Sequence, residues 1–206
     1  MNSNAEIKSA PSVTPVLRGD NNPPVPMWLG WVMLITSVIG CVASSIILDD
    51  HIALLENPDQ TFFCDLGGAF SCSTVMAAPE AKSLGISNPY LGIMGFGGML
   101  GVAFTILSRS RFAPWFWALI SLGISLVVAF CHFLAWSAIF RIEALCINCM
   151  AIWTVSIILF CATLAYVLPT FGGDNWISRS FKRWWWAIAF LWIAAIGAVI
   201  YVHFYL

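Results

Sequence analysis

Cys146 and Cys149, separated by Ile147 and Asn148, stand where a hydrophobic run long enough to cross a membrane begins. Two neighbouring thiols at a helix N-terminus feel the positive end of the helix dipole, which favours the thiolate, the form that attacks disulfides and electrophilic carriers. Cys64 and Cys72 form a second pair in the only long polar loop. Two pairs can exchange a disulfide through a mixed disulfide, so the pattern points to redox chemistry at a membrane surface. A metal centre is a competing use of a Cys-x-x-Cys. Such sites need further Cys or His ligands close by, and His51, His132 and His203 are the only histidines. Two static structural disulfides are the other competing use.

Composition sets the elements that must position these thiols. The chain is 60% hydrophobic and 9% charged, with a mean hydropathy of +0.87, far from a soluble domain. Runs long enough for roughly 30 Å of hydrocarbon cover Met27 to Leu48, Leu91 to Leu107, Pro114 to Phe140, Leu145 to Leu168 and Trp184 to Leu206. The alternating pattern of a membrane β-barrel is missing, so the expected fold is all-α and integral to the membrane, with five spanning helices. Residues 1–26 read as a disordered, proline-punctuated tail, and residues 169–183 as a loop before the fifth helix at 184–206. No small-residue cleavage site follows Leu48, so the first run is an anchor rather than a cleaved signal peptide.

Basic residues fix the expected orientation. With the N-terminus in the cytoplasm, Lys8, Arg18, Arg109, Arg111, Arg179, Lys182 and Arg183 are inside and only Lys82 and Arg141 outside. The tail and the 169–183 loop are then cytoplasmic and both cysteine pairs face outward, where disulfides persist. Acidic residues Asp49, Asp50, Glu56, Asp59, Asp65 and Glu80 collect in the outer loop, and nothing suggests a nucleic-acid partner.

The outer loop, residues 49–89, is long enough to carry function. Ser73 to Leu84 could form a short helix along the membrane surface, with Val75, Met76 and Leu84 toward the bilayer and Glu80 and Lys82 toward water. Pro79 would kink it or start a fresh turn, and Gly85 would stop it. Ser87, Asn88 and Pro89 supply the cap and first turn of the second membrane helix. Such a half-helix would cover the outer mouth of the bundle, close to Cys146.

The segments CDLGGAFSC (Cys64 to Cys72) with the following Ser73, Thr74 and Val75, GISNPYLGIMGF (Gly85 to Phe96) and ALCINCM (Ala144 to Met150) occur in this order. Together they resemble the vitamin K epoxide reductase family, including its bacterial disulfide-forming branch, over about Trp28 to Leu168. The resemblance implies a four-helix catalytic domain, residues 27–168, built around a quinone and closed by a half-helix in the first outer loop. It implies that Cys64 and Cys72 are a shuttle pair and Cys146 and Cys149 a core pair, with Cys149 facing the quinone. Asn88 matches the position whose amide bonds a quinone carbonyl. Trp153 stands where animal members carry a Tyr, and Met76 replaces one of their aromatics; both fall at the quinone. An indole can donate one hydrogen bond but cannot do a phenol's acid-base work, which argues against vitamin K epoxide as substrate. Bacterial members oxidise a thioredoxin-like partner and reduce a membrane quinone. With no thioredoxin domain before Leu206, the partner is expected to be a separate, DsbA-like protein.

The function expected is thus a quinone-dependent thiol-disulfide oxidoreductase of a plasma (inner) membrane that uses menaquinone or ubiquinone and no metal. The alternatives are a vitamin K epoxide or quinone reductase of an endoplasmic reticulum membrane and a non-enzymatic scaffold stapled by disulfides. Cys41, Cys131 and Cys161 read as small buried hydrophobes. His132 and His203 read as satisfied helix residues, with a proton relay as the second reading of His132. Gly92, Gly95, Gly97, Gly98 and Gly101 read as a close helix contact, with a smooth wall for a flat quinone ring as the second reading, Trp184 to Trp186 as an interfacial anchor, and Asp65 as a solvated acid or a cap, with tuning of the Cys64 thiol as its second reading.

The charge asymmetry makes a direct prediction. A reporter fused after Leu206 is exported, whereas one inserted between Ser108 and Pro114 stays cytoplasmic. Cytoplasmic activity at Leu206 would overturn both the helix count and the outward-facing cysteines.

Overall fold

The computed structural model describes residues 24–58, 60–83, 85–173 and 175–206. Lys8, Arg18, Asp59, Leu84 and most of the 1–26 tail lie outside the described residues. Helix α1 runs Met27–Glu56, the short α2 Cys72–Ala77, α3 Asn88–Leu107, α4 Pro114–Ser137, α5 Ile147–Phe171 and α6 Trp176–Tyr205. A 3₁₀ turn, Pro79–Lys82, follows α2, and a π turn, Ala138–Ile142, extends α4. Five of these helices are long and apolar enough to cross a membrane. Only isolated β-bridges, and no strand, occur among the described residues.

α1 lies against α3 and α5, and α5 lies also against α4 and α6. Four helices therefore form the bundle, and α6 packs on its outside against α5. Small residues let α1 approach α3: a Cβ at Gly40 would come within 2.5 Å of the Phe96 ring, and one at Gly92 would strike the Ser44 hydroxyl. The remaining α3 glycines behave differently from the sequence expectation. Gly95, Gly97, Gly98 and Gly101 have open space where a side chain would be. The contact face of α3 is the other one, with Phe96, Met99, Ala103 and Ile106 buried. α3 and α4 barely touch, leaving the bundle open between them.

Several element ends depart from the sequence reading. α1 continues past Leu48 to Glu56, because Ile52, Ala53, Leu54 and Leu55 sustain the helix until Asn57, extended ahead of Pro58, ends it. The 169–183 loop is mostly helix. α5 reaches Phe171, Gly173 turns the chain at φ 91°, and a capping box between Asn175 and Ser178 starts α6 eight residues before Trp184. The half-helix begins at Cys72 rather than Ser73, capped by Ser71, whose hydroxyl accepts from the Thr74 N–H. Pro79 breaks it and opens the 3₁₀ turn, as its missing N–H requires. Val75 and Met76 face the bundle interior instead of lipid, and Glu80 is drawn in to pair with Arg141 at 3.1 Å instead of facing water.

His132 is a lateral pin. The Trp192 indole N–H on α6 donates to its Nε2 at 2.9 Å, which leaves Nδ1–H to donate to the Val128 carbonyl at 2.8 Å. With both nitrogens engaged, a proton relay through His132 has no free atom to use.

Candidate redox site

The loop pair is bonded: Cys64 and Cys72 form a disulfide with a Cα separation of 5.7 Å. Its sequence folds this way because Gly67 and Gly68, with φ of 81° and 62°, adopt left-handed conformations that other residues resist. The Phe70 N–H then closes on the Gly67 carbonyl, turning the chain back toward Cys64. Asp65 fixes the ends of the turn. Its carboxylate accepts from the N–H of Phe62 at 3.0 Å, from the N–H and hydroxyl of Ser73, both at 3.1 Å, and from the Ser71 hydroxyl at 3.3 Å. Burial opposes the charge, but these hydrogen bonds outweigh it and hold the carboxyl below the ordinary aspartate range.

Two backbone hydrogen bonds set the loop against α5. The Leu145 N–H donates to the Ala69 carbonyl at 2.8 Å, and the Ser71 N–H to the Leu145 carbonyl at 3.0 Å. Leu145 is fully buried. The chain reaches this register through the π turn and Glu143, which sits in the left-handed region at φ 55° and redirects the backbone between α4 and α5. The Cys64–Cys72 disulfide is thereby packed against Cys146, Ile47 and Met76, with Cys64 and Cys72 only 5% and 1% exposed.

Cys146 is the N-cap residue of α5 and Cys149 lies in its first turn; both are free thiols. The Cys146 thiol is pushed below its ordinary value, first because the Cys149 S–H donates to it, and further by the N–H groups of Asn148 and Cys149. Burial and the negative charge of Asp50 oppose the shift without reversing it. Cys146 is therefore the core thiol that ionises more readily, and it packs in one cluster with the loop disulfide.

Behind the pair lies a cavity of about 350 Å³, within the range of small-molecule sites. Cys146, Cys149, Met76, Asn88 and Trp153 all line it. Its wall is almost wholly apolar, and it extends along the open α3–α4 side past Gly92, Gly95, Leu119 and Val127. Asn88 is oriented by its amide, which donates to the Glu80 carbonyl at 2.8 Å, while its Oδ1 is buried without a partner. Ser87 occupies the N-cap position of α3, but its hydroxyl makes no capping bond.

All seven residues expected at the site are thus assembled around one disulfide and one cavity. The sequence reading missed Ser44 and His51, which also line the cavity with unpartnered polar atoms. Their signal was the seven-residue spacing that puts both on one face of α1. Cys131, read as a packing residue, lines the cavity as well, 3.8 Å from the Ser156 hydroxyl.

Comparison with known families decides the assignment: residues 31–164, well over half of the chain, match the model of the vitamin K epoxide reductase family. The chain belongs to the vitamin K epoxide reductase family. A search of curated proteins found no match. Membership makes this multi-pass membrane protein an oxidoreductase whose redox activity involves cysteines. Members of the family generally use a quinone and work with a thioredoxin-like partner. No cluster of three or more His, Cys, Asp or Glu able to hold a metal occurs among the described residues.

The Asp65 network yields a pH-dependent prediction. A buried disulfide is reduced only when its loop opens, so the rate of reduction by a small phosphine reports loop stability. The depressed carboxyl stabilises the closed loop above the ordinary aspartate value of about 3.9, and that contribution is lost as the pH falls through the lower folded value. Asp65→Asn should be reduced about tenfold faster than wild type at pH 7, the low end for hydrogen bonds to a charged group. The ratio should fall toward one in strong acid. A ratio near one at pH 7 would show that Asp65 does not hold the loop.

Proposed function

We propose that this family member generates disulfides, oxidising a separate thioredoxin-like (DsbA-like) partner on the outer face of a bacterial plasma membrane at the expense of a membrane quinone, menaquinone or ubiquinone. The observation that carries this reading is a loop disulfide packed with Cys146, whose neighbour Cys149 lines an apolar cavity open between α3 and α4.

The cycle starts with the core pair as a disulfide. Since both loop sulfurs are buried, α2 and its loop must lift before a partner thiolate attacks Cys72 and frees Cys64. Cys64 attacks Cys146, giving a Cys64–Cys146 mixed disulfide and releasing Cys149 as a thiolate, protonated at the cavity. The partner's second thiol takes its own disulfide and frees Cys72, which attacks Cys64 and restores the loop disulfide, releasing Cys146 as a thiolate. The end state has a bonded loop pair and a free core pair, the state found here. Once Cys146 takes up a proton, the two electrons and two protons of the partner's dithiol reside on the core pair.

A bound quinone would accept two electrons and two protons from that pair. The cavity suits such a head group in its size, its apolar wall and its orphaned polar atoms. Asn88 would hold a quinone oxygen through its remaining amide N–H or its free Oδ1, while Trp153 and Met76 would flank the ring. Trp153 in place of a phenol favours this activity over vitamin K epoxide reduction, because an indole exchanges no proton. Arg109 and Arg111 of the α3–α4 connection and Arg179, Lys182 and Arg183 near the start of α6 lie at the end of the bundle remote from the cysteines, which supports a cytoplasmic N-terminus and an outward-facing site.

The order of attack is testable. Cys149→Ser leaves no resolving thiol in the core, so Cys146 attacks the loop disulfide at Cys64, releases Cys72 as a thiolate, and a Cys64–Cys146 disulfide should accumulate once the freed Cys72 is alkylated. Cys146→Ser should trap far less product, because Cys149 lies deeper, at the cavity. Non-reducing peptide mapping of both variants reads the outcome. Equal trapping by either core cysteine would contradict both the order and the assignment of Cys149 to the quinone.

A further inference from the structure

The three histidines differ in how their rings are satisfied. His132 has both nitrogens bonded, and the His203 ring packs on Phe140 and Phe204. His51 is 6% exposed, its Nε2 has no hydrogen-bond partner, and it lines the cavity beside the lid. An unbonded imidazole nitrogen in a buried cavity costs stability unless a ligand completes it. Serine or asparagine could complete a ligand's hydrogen bonds there equally well, but neither can give up and regain a proton near neutral pH.

We infer that His51 exchanges a proton with the quinone oxygen at the lid end of the cavity. This rests on the quinone reading above. Oxidising Cys146 and Cys149 breaks two S–H bonds, forms one S–S bond and yields two electrons and two protons. Forming a quinol consumes the same number of each, so His51 relays one proton and ends the cycle as it began. Protonated Nε2–H donates to the oxygen, and the neutral ring recovers a proton set free at the core thiols. The groups facing it come from several elements. The positive charge of Lys82, of the 3₁₀ turn, opposes a proton held on the ring, so that proton is readily given up, and Glu80 from the same turn is paired with Arg141. Asp50, next in sequence, acts on Cys146; Cys146 and Cys149 of α5 and Cys131 of α4 share the cavity.

The test uses the full chain in lipid nanodiscs with ¹⁵N-labelled histidine and ubiquinone-1 as probe. His132→Gln and His203→Gln assign the three ring signals without altering His51. Ubiquinone-1 should shift the His51 Nε2 resonance and leave the other two in place, while tryptophan fluorescence quenching reports binding. In single-turnover oxidation of the reduced core pair, His51→Gln should lower the rate about 100-fold, the low end for a general acid, with KM within about threefold. The wild-type rate should fall as pH rises through the histidine range, and the variant should lose that fall; thiolate formation at Cys146 would give the opposite slope. Quenching without a His51 shift overturns the inference alone, as does a variant that keeps the wild-type pH profile, whatever its rate. Neither quenching nor shift overturns the quinone reading along with it.

Discussion

The two backbone hydrogen bonds between Leu145 and the disulfide loop are the constraint on which the rest of the site depends. They join a segment near residue 70 to one near residue 145, so they fix in space what no local sequence could. The Leu145 N–H bonds the Ala69 carbonyl, the Ser71 N–H bonds the Leu145 carbonyl, and the disulfide is left lying on Cys146. With Leu145 shielded from water, either bond could be lost only by leaving a buried polar group unpaired, which is costly. The π turn and the left-handed Glu143 follow from the same requirement, since a regular end to α4 would not present Leu145 edge-on to the loop.

The site also places polar chemistry beside an apolar reservoir. Cys146 caps α5 in a turn rich in N–H donors, where a thiolate is favoured. Cys149, in the first turn of the helix, faces the cavity and donates its S–H to Cys146. The pair therefore spans the boundary between the loop, the seat of sulfur exchange in the proposed cycle, and the bundle interior, where a lipid-soluble oxidant could reside. Glu80 closes this arrangement from above: its carboxylate pairs with Arg141 of the π turn that extends α4, and its carbonyl takes the Asn88 amide on α3. One lid residue thus links the two walls of the cavity.

The helical membrane fold was legible because hydropathy reports burial in lipid directly, and the five spans fall where their apolar runs predict. The four cysteines were legible because their spacing is chemical rather than conformational. Helix ends were less so. Ile52 to Leu55 prolong α1 beyond its acidic residues, and Ser178 starts α6 ahead of its basic ones, because propensity and capping act independently of the hydropathy that marks a span. Of the α3 glycines only Gly92 meets α1, while Gly95 lines the cavity with it; composition alone does not say which face meets which neighbour. Ser44 and His51 escaped notice because their seven-residue spacing marks a shared face of α1 without saying what that face meets.

The central claim is that the core pair cycles with a membrane quinone. Its most direct test is differential alkylation of Cys146 and Cys149, read by mass spectrometry, in membranes first depleted of quinone and then resupplied. The account predicts that both thiols are labelled under depletion and become protected within turnovers of quinone return, with Cys131 and Cys161 unchanged. Labelling of Cys146 and Cys149 that is the same with and without quinone would contradict it.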